Sequence, residues 1–117
     1  MKVMLASGNQ GKLAELQSAL SHLGLALTPQ PKTAEYEVEE TGSTFVENAI
    51  IKARHASKLS GLPCIADDSG LMVSALNDKP GVRTARFAGE AATSEDNMAL
   101  MLEQLSGVEN RAAQFCC

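Results

Sequence analysis

Three groups of residues in this 117-residue sequence have types and spacing suited to chemistry. The first is Ser7, Gly8, Asn9, Gln10, Gly11 and Lys12, set between an apolar run and a helix-period segment. Glycines let backbone approach a ligand closely. A helix start offers free N–H groups and a positive dipole end to phosphate, and Lys12 adds a mobile positive charge. The spacing is not that of a Walker A loop, because Gly8 and Gly11 lie too close together and Leu13 stands where Ser or Thr is required. On its own, an ordinary strand-to-helix turn explains this segment better than a phosphate loop. The second group is acidic. Glu39 and Glu40 precede a helix, and Asp67-Asp68-Ser69-Gly70 follows directly on an apolar run. Adjacent carboxylates near phosphate suit Mg²⁺, a hard ion that takes oxygen ligands. An isolated Glu-Glu pair is usually a solvated edge. The aspartates also read as a polar turn, although two like charges at a strand end are costly without a neutralising cation. The third group is Asn48, Lys52 and His55, on one side of a helix at spacings of four and three. Lys52 reads equally as a phosphate contact and as part of a solvated face, and His55 reads as a surface histidine. Ser7 and Ser69 have no histidine nearby in sequence, so neither reads as a nucleophile.

The elements that must position these groups alternate in type. Residues 2–6 form an apolar run fit for a buried strand, and residues 7–11 form a turn. Apolar residues at 13, 16, 20 and 23 predict a helix over 12–23, stopped by Gly24. A short apolar run at 25–27 is ended by Pro29 and Pro31. Residues 35–40 alternate acid with Tyr36 and Val38, which predicts an extended, half-exposed segment. Thr44 and Glu47 predict a capping box opening a helix. Its stripe is Phe45, Ala49, Ala53 and Ala56, and Gly61-Leu62-Pro63 ends it. Apolar runs at 64–66 and 71–76 flank the aspartates, a turn follows at 77–81, and residues 82–92 are irregular. Thr93 and Asp96 mark a further helix start, with Met98, Met101, Leu102 and Leu105 on one face and Gly107 as the stop. Residues 111–117 open another strand. Strands alternating with helices predict an α/β fold.

Composition narrows the function classes. Hydrophobic residues at 44% and charged residues at 21% describe an ordinary globular balance rather than disorder. A net charge of −4 argues against a duplex-DNA footprint, and 3% aromatics argues against a stacking platform for single strands. No apolar run approaches the length of a membrane span, and the first residues lack a signal-peptide pattern. Cys64, Cys116 and Cys117 have no metal-ligand spacing and read as free thiols of a reducing cytosol.

Taken together, the segments LASGNQGKLAEL, EETGSTFVENAIIKARHASK, IADDSGLMVSAL and PGVRTARFAG, with TSEDN after the last, resemble the inosine triphosphate pyrophosphatase family in order and spacing. These are house-cleaning enzymes that remove non-standard purine nucleotides. The resemblance runs through essentially the whole chain. It implies an α/β fold with a mixed sheet flanked by helices, and Mg²⁺-dependent hydrolysis of dITP, ITP and XTP to the monophosphate and pyrophosphate. It further implies a cytoplasmic homodimer with no nucleic-acid or membrane partner. Residues 7–12 match the family's phosphate-binding segment, with Ser7 in place of the commoner Thr. Lys52 matches a lysine near the triphosphate, and Ser69 a substrate contact. Asp68 matches the catalytic aspartate and metal ligand, Asp67 its acidic neighbour, and Glu39 or Glu40 the acidic metal site ahead of the helix. The family's aromatic-Gly-Tyr-Asp and Ser-His-Arg segments, which grip the base, do not occur here. Residues 1–117 are therefore expected to be the N-terminal phosphate- and metal-binding part of a single domain, with a C-terminally incomplete sheet. Two expectations follow: a nucleoside triphosphate pyrophosphatase, or an incompetent fragment that keeps weak polyphosphate and Mg²⁺ binding. A Maf-like pyrophosphatase rests on fold analogy alone, and the DDSG and ENA segments argue against it.

Overall fold

The apolar run at the amino end forms strand β1 (Lys2–Leu5), with Val3, Met4 and Leu5 buried. The computed structural model describes all residues, Met1–Cys117, in two compact units, Met1–Asp67 and Asp68–Cys117.

In the first unit β1 is the central strand of a parallel sheet. Strand β2 (Ala26–Pro29) lies on one side and strand β3 (Cys64–Ile65) on the other. The register runs from Lys2 opposite Ala26 to Leu5 opposite Pro29, and Leu5 also faces Ile65. A central parallel strand is covered on both faces, which is why β1 is continuously apolar rather than alternating. Parallel neighbours need crossovers, and helices α1 (Gln10–Leu20) and α2 (Phe45–Ser60) supply them. Met4, Ala6 and Ala56 form the buried cluster, with Tyr36, Leu62, Cys64 and Ala66 packed against it. The edge of β2 is closed by Gln17 of α1. Its Nε2 donates to the Leu25 carbonyl at 3.0 Å, and its Oε1 accepts from the Leu27 amide at 2.8 Å, as a neighbouring strand would do.

Several local expectations shift. Helix α1 starts at Gln10 rather than residue 12, because Asn9 caps it, and its last residues tighten into a 3₁₀ turn, Ser21–Leu23, before the left-handed Gly24. Pro29 ends β2 from within, which an edge strand tolerates. The segment expected to be extended over 35–40 instead opens with a 3₁₀ turn, Ala34–Tyr36. His55 of α2 explains it: its Nε2 donates to the Glu35 carbonyl at 2.7 Å and holds the turn.

In the second unit strand β4 (Gly70–Val73) lies between β5 (Lys79–Pro80) and β6 (Ala113–Cys116), antiparallel to both. Parallel and antiparallel pairings both occur, as a mixed α/β fold requires, but in separate three-stranded sheets. Val73, Pro80 and Leu105 are the buried apolar side chains here. The stretch 82–92 is more ordered than its sequence suggests. A 3₁₀ segment, Gly81–Arg86, is followed by a turn that Asn97 pins, donating to the Ala85 carbonyl at 3.1 Å and accepting from the Ala88 amide at 2.8 Å. Helix α3 (Ser94–Gln104) carries the expected capping box between Thr93 and Asp96. Its expected apolar face is only partly buried: Leu105, at the C-cap, is covered, whereas Met98 and Leu102 are exposed.

Candidate functional site

Neighbouring parallel strands end at the same edge of their sheet, and this brings the first candidate residues together. The chain leaves β1 through residues 6–9 into α1, and leaves β3 through Ala66 to Asp67. The carboxyl ends of such strands are where open α/β sheets place ligands. Here the Lys12 Nζ lies 3.2 Å from the Asp67 Oδ2, each side chain about three-quarters shielded from solvent. A second, looser contact joins Lys12 to the exposed Glu15 at 3.7 Å. The ammonium and carboxylate therefore meet at the start of a helix, in a half-buried setting where charge interactions exceed those in bulk water.

The turn that delivers Lys12 is built by its own side chains. The Ser7 hydroxyl accepts from the Asn9 amide at 3.1 Å, and the Asn9 Oδ1 accepts from the Lys12 amide at 3.0 Å. Asn9 is thus the N-cap of α1, a role that asparagine fills well. Neither Gly8 nor Gly11 has positive φ, so backbone conformation does not demand glycine at either place. A Cβ on Gly8 would meet only the Lys32 side chain at 3.5 Å, which is ordinary contact. Gln10 is exposed.

The second assembly in the first unit lies at the start of α2. Thr44 caps the helix, its hydroxyl accepting from the Glu47 amide at 3.2 Å. The return arm of the expected box is displaced by one residue: the Glu47 Oε2 accepts from the Ser43 amide at 2.9 Å. Glu47 is therefore fully accounted for as a capping residue. One turn further along, the Lys52 Nζ stands 3.9 Å from the Glu40 Oε1. Glu40 is half-buried, whereas Glu39 is exposed, so the structure separates two residues that the sequence left equivalent.

Asn48 is the residue whose importance the sequence understated. It is fully buried, the only buried polar side chain. Its Oδ1 accepts from the Gly42 amide at 2.7 Å, while its Nδ2 is buried with no hydrogen-bond partner. Such an orphaned donor costs about 1–3 kcal/mol. The available signal was its position four residues after the cap and four before Lys52.

Asp68 and Ser69 open the second unit in the stretch before β4, both half-buried, with the Asp68 Oδ2 shielded from solvent. No three His, Cys, Asp or Glu side chains gather into a metal-binding group. No helix is long and apolar enough to cross a membrane.

A model of the Ham1 family matches residues 3–117. The chain belongs to the Ham1 family. It is 53% identical over 118 residues to the dITP/XTP pyrophosphatase of Methylococcus capsulatus, covering 99% of this chain and 59% of that protein. Among solved Ham1 structures, that of a Coxiella burnetii Ham1 protein superposes with TM-score 0.85 at 49% identity, over 98% of this chain and 59% of that one. The Staphylococcus aureus Ham1 protein gives TM-score 0.83 at 40% identity, over 98% and 59% of the two chains. The family resemblance and the α/β fold expected from the ordered motifs are thus borne out. The chain spans about 60% of the length of the Ham1 relatives it matches.

Proposed function

We propose that the protein hydrolyses non-standard purine nucleoside triphosphates, dITP, ITP and XTP, between the α and β phosphates, releasing the monophosphate and pyrophosphate. The observation that carries this reading is the meeting of the Lys12 ammonium with the Asp67 carboxylate at the end of β3 and the start of α1. The names of the Ham1 relatives, dITP/XTP pyrophosphatases, supply the substrate class. The reaction places water against the α phosphorus and builds charge on the leaving pyrophosphate. Asp68 is the group assigned to orient that water and accept its proton. Lys12 and the first-turn amides of α1 neutralise phosphate oxygens, with Ser7, Gly8, Asn9, Gln10 and Gly11 forming the cradle. Lys52 supplies a second ammonium to the triphosphate, and Ser69 a hydroxyl contact.

The donor chemistry suits Mg²⁺. Glu40 and Asp67 offer hard carboxylate oxygens, and Mg²⁺ is commonly held by one or two carboxylates together with substrate phosphates rather than by a closed protein cage. Asp67 and Glu40 would hold it, with Glu40 preferred over the exposed Glu39. When bound, the ion neutralises charge on the phosphates. A cytoplasmic homodimer, as in the enzymes the sequence resembles, completes the proposal.

The test is product identity. The full-length protein given dITP and Mg²⁺ should release pyrophosphate and dIMP, and Asp68→Asn should lower kcat by at least about 100-fold. Release of inorganic phosphate alone, or full rate in Asp68→Asn, would refute the reading.

A further inference from the structure

We infer that Asn48 is a positioning residue that fixes the acidic segment before α2, and through it the Glu40 carboxylate. Three observations on one helix face lead there. Besides the Ser43 amide held by Glu47, the segment is tied to α2 at two points one turn apart: Gly42 by the Asn48 Oδ1 at 2.7 Å, and Glu40 by Lys52 at 3.9 Å. The backbone at Gly42 approaches so closely that an added Cβ would lie 2.6 Å from the Asn48 Oδ1 and 2.7 Å from the Glu47 Cβ. Asn48 itself is fully buried with its Nδ2 unsatisfied. A side chain chosen for stability alone would not carry an orphaned donor into the interior. An acceptor is nevertheless required at that point to hold the Gly42 amide.

The consequence is a fixed path for Thr41, the one residue between Glu40 and the anchored Gly42. With Gly42 pinned, Glu40 cannot swing into solvent as Glu39 does, and its carboxylate stays beside Lys52. Asn48 is fully buried and bonds the Gly42 amide, so its influence on Glu40 runs through the backbone. It acts on the site as outer-shell partners of metal-ligating carboxylates do, by holding a donor in place.

The inference rests on the proposed function for the use made of Glu40, and its test separates the two. Mn²⁺ binding to the full-length protein is measured by electron paramagnetic resonance, without substrate, beside thermal unfolding of each variant. Asn48→Ala and Gly42→Ala, which break the same contact from opposite sides, should each weaken Mn²⁺ binding about 10-fold. In a Glu40→Gln background neither should weaken it further, because the contact acts through Glu40. A purely structural role would lower the unfolding temperature and leave Mn²⁺ affinity unchanged. That result, additive losses in the Glu40→Gln background, or no Mn²⁺ binding by the wild-type protein would each overturn the inference. If Mn²⁺ binding behaves as expected but dITP yields no pyrophosphate, the activity proposal fails and the role of Asn48 stands.

Discussion

Exchange of the Lys12–Asp67 pair gives a quantitative test of the candidate site. At 3.2 Å, an effective dielectric of about 20 gives an attraction of roughly 5 kcal/mol. Desolvation and the ordering of the lysine chain offset most of that. With both side chains about three-quarters shielded, the net coupling should be about 1 kcal/mol, at the upper end for surface pairs and below that of fully buried ones. Lys12→Met removes the ammonium from beside the Asp67 carboxylate, and Asp67→Asn leaves Lys12 its looser contact with Glu15. Each should cost about 1–2 kcal/mol in urea unfolding, and the double variant should cost less than their sum by about 1 kcal/mol. Activity should behave differently. If Lys12 also meets developing charge on phosphate, Lys12→Met should lose about 10²–10³ in kcat/KM, and adding Asp67→Asn should not restore it. A coupling energy below about 0.3 kcal/mol would show that the pair does not interact in solution. A kcat/KM for Lys12→Met near the wild-type value would remove Lys12 from the phosphate site.

Two further outcomes test the scaffold. Leu5 is completely buried in the central strand, so Leu5→Ala should destabilise the protein by about 2–5 kcal/mol in denaturant titration; a loss under about 1 kcal/mol would contradict the packing around β1. Asp96 should make stability acid-sensitive, because the Thr93 backbone amide, and after it the Thr93 hydroxyl, hold its carboxyl below the ordinary aspartate range. A depressed folded-state value means the contribution is fully present above the unfolded value of about 3.9 and disappears as pH falls through the folded one. The stability gap between wild type and Asp96→Asn should therefore be constant at neutral pH and narrow as pH falls below about 4; a gap unaffected by acidification would contradict the assignment.

Elements governed by local chemistry were legible without coordinates. The run at residues 2–6, the caps at Thr44 and Thr93, and the stop at Gly61 depend on neighbours within a few residues, and the structure keeps them. Expectations failed where distant groups intervene. The turn Ala34–Tyr36 exists because His55 reaches back to the Glu35 carbonyl, and the stretch after Gly81 is ordered by Asn97. Those partners lie 9 to 20 residues apart, beyond the reach of local turn and capping rules. The apolar face of α3 shows the converse. Its period predicts a helix correctly, but periodicity cannot say which apolar side chains are covered, and Met98 and Leu102 are not.

The candidate site divides in the same way. Residue types and their order along the chain determined the family, the α/β class and the roster of charged groups, because those depend on composition and short-range spacing. Which groups meet was decided by tertiary structure. Parallel pairing of β1 with β3 brings Lys12 to Asp67 across more than fifty residues of sequence. Packing of the loop onto α2 distinguishes Glu40 from Glu39 and buries Asn48 beneath Gly42. Charge interactions depend on distance and on shielding from water, and neither quantity exists until the strands have paired.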